Sequence, residues 1–203
     1  MAAETELHRV APDLLIWHRY DPAVKADLFS TALGTGAGVF LIDPITPAPN
    51  DLPQLLAGVA VDGVLITNAN HARGAAEFAR QFAAPIYARR GAHSELGLPH
   101  CLPLKTAKLP GSLTALPIDG AAAGEMALHC TAQGGTLVLG DALINVNSHG
   151  FAFLPAKYCA DQKRMRDSLR VLLDYDFTRI LFAHGAPIVT RARERLTDLL
   201  LAR

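Results

Sequence analysis

The sequence has no excess of charge of either sign and no long apolar run. Its 203 residues contain 19 Lys+Arg and 19 Asp+Glu, so the formal net charge is zero. A neutral chain has no electrostatic footprint for nucleic acid or for an anionic membrane surface. No apolar stretch approaches the roughly 20 residues that span a bilayer, and no apolar signal core follows the acidic first residues. We therefore expect neither a nucleic-acid partner nor a membrane partner.

Cysteines are few, and their arrangement argues against a disulfide framework. Cys101, Cys130 and Cys159 are widely spaced and odd in number. This pattern favours small hydrophobic roles for the three thiols and a reducing, cytoplasmic setting. By contrast, hydrophobic residues are plentiful, at 50% of the chain. That content can bury a sizeable core, and the length fits one domain over residues 1–203.

Short apolar runs bounded by Gly, Pro, Asp or Asn dominate the chain and predict strands. The predicted strands lie at residues 14–17, 39–42, 64–66, 85–87, 126–130, 137–139 and 180–182. Apolar residues at helical spacing predict helices at 75–82, after an N-cap at Asp161 and near 196–200, with a weaker one near 51–58. Strands outnumber helices, so the pattern predicts a mixed α/β class.

Three of the predicted strands end in polar residues. Residues 67–71 (Thr-Asn-Ala-Asn-His) follow the third predicted strand, Asp141 follows the sixth, and His184 follows the last. Ligand sites in layered α/β folds gather at such strand ends. The same residue types also serve turns and helix caps, and Asn70 could cap a helix that begins near Ala72.

Taken in chain order, five segments resemble the metallo-β-lactamase superfamily over nearly the whole chain. Residues 39–44 resemble its early strand, which ends in Asp, and residues 67–74 take the place of its Thr-His-x-His-x-Asp-His segment. Asp-Gly-Ala-Ala-Ala-Gly-Glu at 119–125 resembles its Pro-Gly-His-Thr-Pro-Gly-Ser/Glu turn. Residues 134–143 and 180–187 resemble the strands that deliver its bridging aspartate and last histidine. The resemblance implies an α+β fold, a four-layer αβ/βα sandwich with two mixed sheets face to face and helices outside.

Few ligands of the family's metal centre carry over to this chain. A dinuclear centre of this kind uses about seven His and Asp ligands, because each ion needs at least four donors. Asp141 matches the bridging aspartate and His184 the last histidine, whereas Ala121 stands at the turn histidine and cannot bind metal. The loss of several ligands argues against tight binding of two ions.

The segment 67–74 can be aligned with the family in two ways. If Thr67 is held in place, the four ligand positions fall on Asn68, Asn70, Ala72 and Arg73. If His71 is matched to the last histidine of the segment, they fall on Ile66, Asn68, Asn70 and His71.

The two alignments imply different chemistry. In the first, the Arg73 guanidinium enters the metal space and pairs with Asp141, which leaves a metal-free polar network or a pocket for a small anion. In the second, His71, Asp141 and His184 form a His₂Asp set that is sufficient for one Zn²⁺ or Fe²⁺. The activated water of such a centre attacks an ester, a thioester or a similar small substrate, and Asn70 would orient that water.

Two functions therefore remain open after the sequence alone. One is a member that has lost most of its metal ligands and is non-catalytic or has an altered site. The other is a mononuclear hydrolase with either Zn or Fe. For a small-molecule ligand, the candidate contacts are Asn68, Arg73 and His149, the last on the loop that follows Asp141.

Overall fold

Among the described residues, the first of the two main sheets contains seven strands in chain order. The computed structural model describes residues 5–47, 58–104, 108–146 and 150–202. The strands of this sheet are β1 (Glu6–Ala11), β2 (Leu14–Asp21), β3 (Ala26–Gly34), β4 (Val39–Ile42), β5 (Val61–Ile66), β6 (Ile86–Ala88) and β7 (Cys101–Pro103). Strands β1 to β4 pair antiparallel, and β4 to β7 pair parallel.

The second sheet has five strands in the order β14-β11-β10-β9-β8. Its strands are β8 (Lys108–Leu109), β9 (Leu113–Pro117), β10 (Met126–Cys130), β11 (Thr136–Leu139) and β14 (Arg179–Phe182). Only the β11–β14 pair among them is parallel. A separate hairpin is formed by β12 (Leu143–Val146) and β13 (Gly150–Phe153). Both main sheets are mixed, as the resemblance implied.

Four helices accompany the sheets in the described part of the chain. They are α1 (Ala75–Phe82), α2 (His93–Leu96), α3 (Gln162–Leu169) and α4 (Ala192–Leu201). The predicted cap of α3 is confirmed, because the Asp161 side chain accepts from the Arg164 amide at 2.9 Å. The weak helix predicted near 51–58 lies almost wholly outside the described residues. No described helix combines the length and the apolar character that crossing a membrane requires.

Three apolar clusters separate four layers of secondary structure, with two sheets inside and helices outside. The molecule is therefore a four-layer α+β sandwich. On β5, Val64 and Ile66 pack with Phe78 of α1 on the outer face, whereas Leu65 points to the space between the sheets. On β10, Leu128 faces the same space, and its neighbour Ala127 faces the layer of α3 and α4. Alternate residues of a strand point to opposite faces, so each sheet is buried on both sides. The three cysteines, all in the described residues, are free.

Candidate metal centre

Four strand ends meet at one edge of the sandwich. Asp43 and Thr67 follow the parallel neighbours β4 and β5, and Asp141 and His184 follow the parallel neighbours β11 and β14. Main-chain hydrogen bonds join the two sheets here, from Phe29 N to Ala183 O at 2.9 Å and from Met126 N to Thr67 O at 2.9 Å. The fold therefore gathers the polar residues that the sequence places after separate strands.

His71 lies at the centre of this cluster, on a 3₁₀ turn at Ala69–His71 that follows β5. Its Nδ1 is 2.8 Å from Asp43 Oδ2 and 3.0 Å from Thr67 Oγ1, and its Nε2 is 3.1 Å from Asp141 Oδ1. Burial and the nearby Arg73 charge oppose protonation, but the carboxylates of Asp43 and Asp141 outweigh them and raise the pKa of His71 to about 9. His71 is therefore an imidazolium at neutral pH when no metal competes for it.

Asp141 receives hydrogen bonds from four side chains. His184 Nε2 lies 3.3 Å from the Oδ1 atom that also contacts His71, and the Asn68 and Asn70 amides donate to Oδ2 at 3.2 and 3.4 Å. Burial works against ionisation of Asp141, but His71 and His184 hold its pKa far below its usual range. Asp141 is therefore the anionic centre of the cluster, and its partially exposed neighbours His184 and Asn70 form the open side.

A third carboxyl group, Glu125, lies behind Asp141. Glu125 Oε2 accepts from the Asn68 amide at 2.7 Å, and Oε1 accepts from the Ala142 main-chain N–H at 3.1 Å. Burial, together with the charge of Asp141, raises the pKa of Glu125 to about 8, so it is mostly neutral at pH 7. Gly140 makes this packing possible, since a Cβ there would lie 2.5 Å from Glu125 Oε1 and 2.6 Å from Thr67 Oγ1.

Arg73 also points into the site, although it does not pair with Asp141 as the first alignment predicted. Its guanidinium donates to the carbonyls of Phe29 at 2.7 Å, Asp43 at 3.1 Å and Ala183 at 3.5 Å, and it lies 3.5 Å from His184 Nε2. The two alignments therefore do not exclude each other structurally, because the side chains of His71 and Arg73 both reach the cluster. Arg73 and Asp43 have left-handed backbones, with φ of 34° and 46°. Strain of this kind in residues other than glycine is concentrated at functional sites.

Other residues singled out from the sequence have varied positions. Asn70 does not cap α1, which begins after Gly74. Instead, the side-chain oxygen of Asn68 caps the 3₁₀ turn by accepting from the main-chain N–H of Asn70 at 2.9 Å. Ala121 is buried in the apolar layer beside α3. His149 lies outside the described residues.

Asp43 and Glu125 are central to the cluster but were not among the candidate site residues. Each is a carboxylate next to a buried strand within a segment that resembles the family, but ordinary turn residues share that pattern.

A family model described as the metallo-beta-lactamase superfamily matches residues 5–202. The chain belongs to the metallo-β-lactamase superfamily. Among solved structures, the DIM-1 metallo-beta-lactamase is similar at 13% identity, with a TM-score of 0.72 and 97% of each chain covered. The metallo-beta-lactamase from Pontibacter korlensis is similar at 14% identity, with a TM-score of 0.76 and coverage of 98% of this chain and 100% of that one.

A third similar structure is a metallo-beta-lactamase family protein from Thermus thermophilus, at 21% identity with a TM-score of 0.68. The match covers 95% of this chain and 79% of that one. No curated protein matches the chain with significant sequence similarity. At these identities the solved structures support the superfamily fold, and the chemistry must be judged from the residues of this chain.

The donor set of this metallo-β-lactamase superfamily member fits one metal ion. His71, Asp141 and His184 each offer a ligand atom, and these atoms all lie within 4.8 Å of one another. Asp141 Oδ1 lies 3.1 Å from His71 Nε2 and 3.3 Å from His184 Nε2. These distances are close to the roughly 3.4 Å that separates two N/O ligands of a tetrahedral zinc ion. Around this centre the described residues form no second group of three metal-ligating side chains, and Asn68, Asn70 and Ala121 present two amides and a methyl.

Proposed function

We propose that this protein is an altered-site member of the superfamily that binds one Zn²⁺ or Fe²⁺ and hydrolyses a small ester or thioester. The observation that carries the proposal is the convergence of His71 Nε2, Asp141 Oδ1 and His184 Nε2 at the open edge of the sandwich. Two imidazoles and a carboxylate are a sufficient protein ligand set for a catalytic ion, which keeps a further position open.

The second contact of His71 supports metal binding. Histidine ligands usually donate their other ring N–H to a carboxylate or carbonyl, which fixes the tautomer and orients the ring. Here Asp43 Oδ2 is 2.8 Å from His71 Nδ1, and Thr67 holds the same carboxylate through its amide at 2.8 Å and its hydroxyl at 2.5 Å. With Nδ1–H directed at Asp43, the Nε2 lone pair of neutral His71 is directed at Asp141 and His184.

The surrounding residues have separate roles in the proposed chemistry. A bound ion would supply Lewis acidity and activate a water for attack on the substrate carbonyl. Asn70 lies at the exposed rim, where its amide can orient that water or the substrate. Arg73 supplies a fixed positive charge beside His184, which favours an anionic group on the substrate. Asn68 is fully buried and holds Glu125 and Asp141, so we assign it a positioning role rather than substrate contact.

Metal content compared between variants tests the proposal. The protein is stripped with a chelator, incubated with Zn²⁺ or Fe²⁺, desalted and analysed for metal. We expect His184→Ala and His71→Ala to contain about one ion per chain less than the wild type, because each loses a ligand. His100→Ala, which removes an exposed histidine that is not part of the His71, Asp141 and His184 group, is the matched control. Unchanged metal content in His184→Ala would rule out this centre.

Hydrolysis of p-nitrophenyl acetate and of a chromogenic thioester provides the second measurement. We expect kcat/KM of the metal-bound wild type to fall at least about 100-fold in His184→Ala, since the ion contributes several kcal/mol of transition-state stabilisation. A metal-containing protein without activity on esters or thioesters would contradict the hydrolase part alone.

A metal-free binding domain is the second candidate, and the contacts of Arg73 favour it. The guanidinium lies 3.5 Å from His184 Nε2, where its charge opposes a dication. In the absence of metal the cluster is also balanced: two carboxylates, Asp43 and Asp141, face two cations, His71 and Arg73, while Glu125 is largely neutral. In this case the metal content of the wild type, His184→Ala and His71→Ala would be equal.

A further inference from the structure

A separate group of metal-ligating side chains lies on the first two strands. In the antiparallel register Glu6 is opposite His18, and His8 follows Glu6 by two residues, so the three side chains share one face of the β1–β2 pair. The sequence did not indicate this group, because His18 is ten or more residues from the other two along the chain and only strand pairing brings the three together. None of the three contacts the central cluster in the hydrogen bonds and ion pairs described above.

The three ligand atoms form an almost equilateral triangle. His8 Nε2 lies 3.4 Å from His18 Nε2, and Glu6 Oε2 lies 3.6 Å from His8 Nε2 and 3.5 Å from His18 Nε2. A tetrahedral ion with bonds of 2.0–2.1 Å to nitrogen and oxygen has edges of about 3.4 Å between its ligands. One face of such a tetrahedron therefore matches the triangle, and the fourth position faces solvent.

The two imidazole planes are nearly parallel, at an interplanar angle of 10°. Their centroids are 5.4 Å apart whereas their Nε2 atoms are 3.4 Å apart, so the two rings approach each other through these nitrogens. The His18 ring also stacks on Phe29, with centroids 4.5 Å apart and an interplanar angle of 18°. This stack restricts His18, while His8 and Glu6 have side chains 52% and 65% exposed and leave the site open to an ion from solution.

We propose that Glu6, His8 and His18 bind a second divalent transition-metal ion, with Zn²⁺ as the matching chemistry and water as the fourth ligand. The ion would join β1 to β2 by side chains. This matters because, among the described residues, β1 is the edge strand of the seven-stranded sheet and has β2 as its single neighbour. The site does not depend on the proposed hydrolytic function, since it uses none of the central residues.

Zinc titration in a background without the central site tests the proposal. Chelator-treated His184→Ala protein is titrated with Zn²⁺ by isothermal calorimetry, and circular dichroism verifies its fold. We expect it to bind about one ion per chain, and we expect His8→Ala or Glu6→Gln in the same background to weaken that binding at least tenfold, since loss of even an outer-shell partner costs about that much. His100→Ala in the same background is the control and should leave the affinity unchanged. Because His8 is half exposed, its substitution should leave the fold intact.

Cobalt gives a spectroscopic readout of the same site. Co²⁺ added to the His184→Ala protein should produce the intense visible bands of four-coordinate cobalt, and His8→Ala should abolish them. Absence of zinc binding in the His184→Ala background, or equal affinity with and without His8→Ala, would overturn the proposal. Failure of the His71, Asp141 and His184 centre would give a different result. The wild type would then bind one ion, and His8→Ala would remove it.

Discussion

His71 lies between two carboxylates and carries the proton that balances them. In the metal-free protein this imidazolium contacts Asp43 at 2.8 Å and Asp141 at 3.1 Å, and its pKa is about 9 rather than 6.5. A raised pKa in the folded state means that protonation stabilises the fold. The contribution is fully present below pH 6.5, where the unfolded chain is also protonated, and it is lost as the pH rises through about 9.

The metal-free protein should therefore lose stability between pH 6.5 and 9. We expect the free energy of unfolding in urea with a chelator present to fall by about 3 kcal/mol over this range, from the His71 shift alone. Glu125 acts in the same direction, because ionising a buried carboxyl with a pKa of about 8 disfavours the fold. His71→Gln should flatten the profile, and Glu125→Gln should flatten it partly. A wild-type profile that is constant over this range would show that His71 does not hold the proton.

Candidate residues could be identified from the sequence only where the side-chain type and the position after a strand suggest metal binding, with no knowledge of burial. His71, Asp141 and His184 follow strand-like runs and carry metal-binding groups, so the pattern indicated them and the structure brings them together. Asp43 and Glu125 resemble ordinary turn residues in one dimension. Their roles depend on burial and on partners from other strands, which no local pattern contains.

At the scale of elements, the residue that follows β11 has no room for a side chain. Gly140 lies between Leu139, the last residue of the strand, and Asp141, and three side chains from other segments approach its Cα. An added Cβ would lie 2.5 Å from Glu125 Oε1, 2.6 Å from Thr67 Oγ1 and 3.1 Å from Asn68 Nδ2. These atoms belong to the hydrogen-bonded cluster, so they cannot move without breaking contacts to the Ala142 main-chain N–H, to Asp43 or to Asp141.

Gly140→Ala should damage both stability and the site. We expect a loss of about 1–3 kcal/mol in the free energy of unfolding, as for overpacking elsewhere in protein interiors, together with weaker zinc binding. Gly91→Ala is the matched control, because its Cβ would meet nothing nearer than 3.4 Å. Thermal unfolding and zinc titration of the two variants provide the measurement. Equal stability of Gly140→Ala and wild type would mean that the cluster is loosely packed.

Strands that are buried on both faces were predictable, whereas two strands with polar residues inside their apolar runs were not. The runs at 39–42, 126–130 and 137–139 correspond to β4, β10 and β11, whose interior residues are nearly all apolar. Strands β1 and β3 were not predicted, because polar residues interrupt their apolar ones. These two segments form strands because each pairs with β2, and their composition alone does not indicate this pairing.

At the scale of the whole molecule, the described residues contain no buried side-chain nitrogen or oxygen without a hydrogen-bond partner. The cluster of His71, Asp141 and their neighbours is thus satisfied without an ion, and three apolar layers support the sheets around it. This differs from small zinc domains, whose fold is absent without metal. The four-layer arrangement itself was expected from the resemblance, since the order of five segments carries over even where the ligands do not.

Removal of metal should leave the fold intact. We expect the chelator-treated protein to keep the circular dichroism spectrum of the zinc-bound protein and to unfold cooperatively, with a melting temperature only a few degrees lower. The difference reflects ligand binding to the folded state, which grows with the logarithm of free zinc concentration. Loss of the spectrum on chelation would show that an ion is part of the folded core, contrary to the satisfied hydrogen bonds of the metal-free cluster.

The hydrogen bonds from His71 and His184 to Asp141 also have a consequence for the kinetics of the centre. Both imidazole nitrogens and the carboxylate oxygen that an ion needs are already in contact with one another, so entry of an ion requires these contacts to open and the His71 proton to leave. The opening step does not involve the ion. If the proposed ion binds here, opening alone would set its rate of uptake at high zinc concentration, and that rate would become independent of how much zinc is present.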